Sequence, residues 1–207
     1  ILFRLVGSEM CIRDSFTVDT PQNEVTYEYR PSSPERKQVE ETYKKMFNEK
    51  VKVPLYLGDE EVFTPETRPI RPPHDHQHIV GTYSVAQPEH VIRAIDNALK
   101  AKAKWAAMSW EHRVSIFIKA ADLIAGPYRS IINTGTMIGQ SKNIFQAEID
   151  ATCESVDFLK FNAAFASQIY QQQPAPGHGV FNRIEHRPLE GFTYAAVSYT
   201  HLTLPTT

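Results

Sequence analysis

The sequence predicts an α/β fold that is incomplete at its C-terminal end. Three observations lead there: an alternating apolar segment that turns at Gly58-Asp59, a run of helical segments from Pro88 to about Gln171, and two strand-like stretches that close the chain. A complete domain of this class repeats βαβ units, and no such repeat occurs. A parallel sheet would begin where the chain stops.

The elements follow in order. After a polar, extended start, Ser33 is placed to cap a helix, with Pro34 in its first turn and Glu35 near its positive end; this helix runs to about Asn48. In "VKVPLYLGDEEVFT", Val51, Val53, Leu55 and Leu57 alternate, which predicts a β-hairpin with one buried face. Pro72-Pro73 makes "RPPHDHQH" an irregular loop. Pro88 opens a helix with Val91, Ile92, Ile95, Ala98 and Leu99 as its apolar stripe. Ser109 caps a second, with Val114, Phe117, Ala121 and Ile124 on one face and Gly126-Pro127 as its end. A third, shorter helix carries Ile131, Ile132 and Ile138 and stops near Gly139. A fourth starts near Ser141 and continues to the Gln171–Pro174 stretch. Two strands are expected last, Phe181 to His186 and Phe192 to Ala196, joined through Pro188 and Gly191.

Composition excludes several function classes. The 207 residues are 42% hydrophobic with a net charge of −2, which suits a soluble globular chain with a real core. The near-neutral balance gives no basis for nucleic acid or an anionic membrane as partner. No apolar run approaches the ~18 residues of a membrane span. Cys11 and Cys153 are too few for a disulfide framework, so a reducing compartment is expected.

Both ends read as foreign to the fold. Back-translation of residues 5–15 and 197–207 yields two strings that share one inverted DNA repeat and resemble the transposase adapters of short-read sequencing libraries. Residues 1–15 and 197–207 are therefore expected to be adapter-derived and are set aside from fold reasoning. The native segment is then 16–196, and Cys153 is its one cysteine.

Three features invite chemistry. His74, His76 and His78 alternate, but same-face side chains on a strand stand about 6.6 Å apart, too far for three ligands on one ~2.1 Å coordination sphere; no metal site is expected. Cys153 lies inside the long helix with no helix N-terminus to lower its pKa, and Asp150, Glu154 and Asp157 nearby would raise it, so it reads as a buried structural thiol. Asp150, Glu154 and Asp157 fall at i, i+4 and i+7, near one helix face that could hold negative potential against a cationic group.

Four stretches, "RPSSPERKQVEETYKKM", "RPPHDHQHIVGTY", "MIGQSKNIFQAEIDATCESVDFLKFNAAFASQIY" and "NRIEHRPLEGFTYA", resemble in order and spacing the N-terminal portion of the L-glutamate γ-semialdehyde (1-pyrroline-5-carboxylate) dehydrogenases, in the aldehyde dehydrogenase superfamily. The resemblance covers essentially all of residues 16–196. It implies the N-terminal part of the aldehyde dehydrogenase fold, with the last stretches starting the oligomerisation strands and the parallel sheet. It implies NAD-dependent oxidation of glutamate semialdehyde to glutamate in proline catabolism, and a homo-oligomer when full-length. In that family a cysteine thiolate attacks the aldehyde, an amide and a backbone N–H hold the oxyanion, nicotinamide takes the hydride and a carboxylate activates water. All four lie C-terminal to Ala196, so no catalytic or cofactor-binding residue is assigned in this chain, and the chain alone is expected to be inactive. The one functional residue carried over is Glu154, which the resemblance places against the substrate's α-ammonium group. The resemblance implies a mitochondrial matrix location in a eukaryote and a cytoplasmic one in a bacterium. A different class of reading, a non-catalytic oligomerisation or interaction module of the same descent, would require a natural stop after Ala196.

Overall fold

The computed structural model describes residues 18–195; the two predicted adapter segments and the end of the last expected strand lie outside them. The described fold is mixed helix and strand. An extended arm leads into helix α1 (Pro34–Asn48), then strands β1 (Val51–Val53), β2 (Leu55–Leu57), β3 (Glu60–Val62), β4 (Thr67–Ile70) and β5 (Gly81–Ser84). Helices α2 (Pro88–Ala107), α3 (Trp110–Ala125) and α4 (Arg129–Gln140) follow, then a long helix in three parts: α5 (Ile144–Ala147), a π turn (Glu148–Cys153) and α6 (Glu154–Gln171).

Helix starts obey local chemistry. The Ser33 hydroxyl accepts from the Arg36 amide and Ser109 from that of His112, as the sequence predicts. The long helix starts slightly later than expected. Ser141 closes α4 in the left-handed region at φ 56°, and Asn143 caps α5 in a reciprocal box with Gln146. The core forms where α3 packs on α6 and α4 packs on α1 and the π turn. Small residues let α3 and α6 approach, since Ala121, Ala163 and Ala164 are all buried.

The predicted hairpin is half right. β2 and β3 pair antiparallel across Gly58-Asp59, with Leu57 opposite Glu60, and Gly58 takes the positive φ such a tight loop asks of its first residue. Val51 and Val53 do not share its buried face: they are exposed, because Pro54 splits the run and β1 leaves to pair parallel with β5. β4 and β5, unread in the sequence, pair antiparallel and complete a sheet of order β1-β5-β4. Gly81 is required there, since a Cβ would stand 2.4 Å from the Val51 carbonyl oxygen.

Three further expectations are corrected. On α2 the apolar stripe is not buried: Val91, Ile92 and Leu99 are exposed, because no described element covers that face. Phe117 on α3 and Ile131 on α4 are also exposed, and α4 instead buries Arg129, Ser130, Asn133, Thr134 and Ile138. Phe181–His186 and the described part of the second stretch form no strands; a single bridge, Gly177 to Val180, is the β pairing described there. A ladder needs a partner backbone, and none of the described residues supplies one to these segments.

The histidine loop between β4 and β5 is a packing device. Phe47 stacks on His78 at 4.2 Å and on His74 at 6.2 Å between ring centroids. His78 Nε2 lies 2.6 Å from the Phe47 carbonyl and His74 Nδ1 2.8 Å from the Ser141 hydroxyl. Among the described residues no group of three His, Cys, Asp or Glu is placed to hold a metal ion.

Candidate functional site

α4 and the long helix face each other along two consecutive zones, one closed and polar, the other an open cleft. The closed zone centres on Glu148, the first residue of the π turn, which is fully buried. Its carboxylate accepts from the Tyr27 amide at 2.9 Å, the Tyr29 hydroxyl at 2.7 Å, Asn133 Nδ2 at 2.7 Å, and Nε and Nη2 of Arg129. Arg129 also donates to Glu24 Oε1 at 2.9 Å, and Lys160 on α6 reaches the other Glu24 oxygen at 3.1 Å. The Tyr27 ring lies 3.8 Å from the Arg129 guanidinium carbon. Two acids and two bases thus balance, and the arm carrying Glu24, Tyr27 and Tyr29 is clasped onto the helices. Tyr29 adopts a positive φ of 47° to make its contact.

These partners dictate the protonation states. Burial alone would push Glu148 up, but the Arg129 hydrogen bonds, then the Tyr27 amide, Tyr29 and Asn133, outweigh it and hold the carboxyl below its ordinary 4.5. Burial and the adjoining Glu148 push the Tyr29 phenol up, so it remains the donor. Because the folded-state value of Glu148 is depressed, its contribution to stability is complete above 4.5 and is lost as pH falls through the depressed value. In urea unfolding of the chain, Glu148→Gln should be less stable than the parent at pH 7, and the gap should close as the solution is acidified. A gap independent of pH would refute this assignment.

Cys153 sits beneath the same cluster, buried, with its thiol pushed up chiefly by burial. The direction matches the sequence expectation, but the acidic neighbours that raise it are Glu148 and Glu24 rather than Asp150, Glu154 and Asp157. Its sulfur lies 3.7 Å from the Thr26 hydroxyl, under the arm. Such a thiol is a poor nucleophile.

The open cleft follows directly along the two helices. It has a volume of about 280 Å³ and is lined by Thr136 and Gln140 of α4, Lys142, Asp150, Ala151 and Glu154. Here the expectation of one acidic face is corrected. Asp150 is tied to Lys142 at 2.6 Å, and Asp157 turns to the arm, accepting from Asn23 Nδ2 and the Glu24 amide at 2.7 Å each. Asp150 and Glu154 border the cleft; Asp157 does not. Among the described residues the Glu154 side chain makes no hydrogen bond or ion pair and Glu154 is exposed, so its carboxylate is free to meet a cation.

Comparison with known proteins fits this architecture. The aldehyde dehydrogenase family model matches residues 63–200. The chain belongs to the aldehyde dehydrogenase family. This aldehyde dehydrogenase segment is 41% identical over 186 residues to a probable delta-1-pyrroline-5-carboxylate dehydrogenase of Schizosaccharomyces pombe, covering 89% of the chain and 34% of that protein. It is 37% identical to the mitochondrial delta-1-pyrroline-5-carboxylate dehydrogenase of Dictyostelium discoideum, covering 86% of the chain and 32% of the relative. In three dimensions it is similar to the Delta-pyrroline-5-carboxylate dehydrogenase from Mycobacterium tuberculosis bound with NAD and cobalamin, with TM-score 0.83, 41% identity, and coverage of 85% of this chain and 33% of that one. The aldehyde dehydrogenase segment thus spans about a third of the length of these relatives.

The strand-to-helix passage from β5 into α2 is Val85-Ala86-Gln87, without the glycines that let a backbone approach a pyrophosphate. The described glycines with positive φ, Gly58, Gly179 and Gly191, open no helix. Glu154 is the sequence-predicted site residue, and it lies on the cleft. The sequence reading missed Arg129, Asn133 and Glu148. The available signal was a polar pair at i and i+4 in α4, on the face a core helix would give to apolar side chains.

Proposed function

We propose that this chain is the N-terminal third of an NAD-dependent L-glutamate γ-semialdehyde dehydrogenase, which oxidises the open form of 1-pyrroline-5-carboxylate to glutamate in proline catabolism. The observation that carries the reading is the 41% identity sustained over 186 residues with a probable delta-1-pyrroline-5-carboxylate dehydrogenase. Glu154 is the substrate-binding residue in this reading. Its free carboxylate on the cleft would meet the α-ammonium of the substrate, while Lys142 is neutralised by Asp150 and does not repel it. NAD, when bound, accepts the hydride, and its binding groups belong to the part of the enzyme outside this chain. The full-length enzyme would be a homo-oligomer, mitochondrial in a eukaryote and cytoplasmic in a bacterium. The adapter reading of residues 1–15 and 197–207 belongs to the same proposal; a clean read of the source nucleic acid should run from "EGFTYA" into Pro-Phe-Asn-Phe and later a cysteine motif.

The test is turnover of two preparations. The full-length enzyme should reduce NAD with pyrroline-5-carboxylate, and its failure to do so would refute the assignment. The chain alone should show no rate above background, and Cys153→Ser should change nothing. Any turnover by the chain that depends on Cys153 would contradict the placement of the nucleophile elsewhere.

A further inference from the structure

The π turn lies immediately before Glu154, and one side chain of α4 grips it at both ends. The Asn133 amide donates through Nδ2 to Glu148, the first residue of the turn, at 2.7 Å, and accepts through Oδ1 from the Thr152 hydroxyl, also at 2.7 Å. All three side chains are fully buried. The consequence reaches Glu154 through the backbone. Its own amide donates to the Ile149 carbonyl, five residues back, instead of to Asp150 as an ordinary α-helix would have it. One residue of helical register turns a side chain by about 100° around the axis. Loss of the π turn would therefore swing Glu154 relative to Thr136 and Gln140, which form the opposite wall of the cleft. Asn133 and those two wall residues lie on one helix, α4, at spacings of three and four residues, so the grip and the wall form a single rigid unit.

We propose that Asn133 and Thr152 are positioning residues for substrate recognition: the Asn133 amide, bonded to Glu148 and Thr152, holds the π register that aims Glu154 into the cleft. This rests on the reading of Glu154 as the contact to the substrate's ammonium group. Thr152 acts through Glu154 and touches no substrate. Its hydroxyl can be removed with little change of shape by Thr152→Val, which leaves Asn133 Oδ1 without its donor and frees the turn to relax.

The experiment measures KM and kcat of the full-length enzyme with glutamate semialdehyde and with a straight-chain aldehyde lacking the amino group. Four forms are compared: parent, Thr152→Val, Glu154→Gln and the double variant. Thr152→Val should raise KM for the amino aldehyde roughly three- to tenfold, the scale of one buried hydrogen bond, with kcat and the amine-free reaction within about twofold of the parent. The effect should vanish in the Glu154→Gln background, and Thr152→Ser, which keeps the hydroxyl, should behave as the parent. Equal losses on both aldehydes, or a Thr152→Val effect that persists without the Glu154 carboxylate, would overturn the proposal. If Glu154→Gln lowers activity selectively and Thr152→Val does not, the positioning role fails alone. If Glu154→Gln leaves selectivity untouched, the recognition reading fails and takes this proposal with it. Should Thr152→Val not accumulate as folded enzyme, Thr152→Ala carries the same comparison.

Discussion

Arg129→Ala should destabilise the chain by ~3–5 kcal/mol, the cost of leaving a buried partner charge uncompensated. The guanidinium is almost wholly buried and serves Glu148, Glu24, the Val25 carbonyl and the Ala125 carbonyl at once. Its removal strands the fully buried Glu148 and releases the arm that Glu24 and Tyr27 hold down. The loss should appear as a fall in the urea midpoint and as faster amide exchange in residues 23–30. Replacing both charges, in Arg129→Met with Glu148→Leu, should recover much of the loss, because no unpaired charge then remains in the interior. A single variant within ~1 kcal/mol of the parent would show that water reaches Glu148 and that the clasp contributes little.

This cluster is where sequence reading ran out. Local signals placed what local chemistry decides: Ser33 and Ser109 as caps, Gly58-Asp59 as a turn, Val114 and Ala121 as buried positions. The partners of Arg129 are not local. Glu24 is 105 residues away and Val25 104, so nothing in a helical period reveals them. The same limit explains β1. Period two made Val51 and Val53 look like one face with Leu55 and Leu57, whereas the pairing that decides their fate is with Gly81 and Tyr83. The exposed stripe of α2 and the unpaired stretch after Phe181 are opposite cases. Their apolar patterns are plain in the sequence, but the surfaces that would satisfy them are not among the described residues.

Family resemblance singled out Glu154, but its surroundings were not legible in the sequence. Counting i, i+4 and i+7 grouped it with Asp150 and Asp157 as one acidic face. The π turn inserts an extra residue into that count, Lys142 takes Asp150, and the arm takes Asp157. What remains is a single free carboxylate beside a cleft, a better ammonium partner than three mutually repelling acids.

Substrate discrimination by Glu154→Gln in the full-length enzyme decides whether this carboxylate has the proposed role of recognising the substrate's α-ammonium group. A charge-assisted contact of this kind is worth ~1.5–3 kcal/mol, so kcat/KM for glutamate semialdehyde should fall roughly ten- to a hundredfold. Oxidation of a straight-chain aldehyde without an amino group should change far less, since the variant keeps the shape of the side chain and removes only its charge. The selective loss is the predicted result; equal losses on the two aldehydes, or no loss on either, would contradict it and return this helix to a purely structural role.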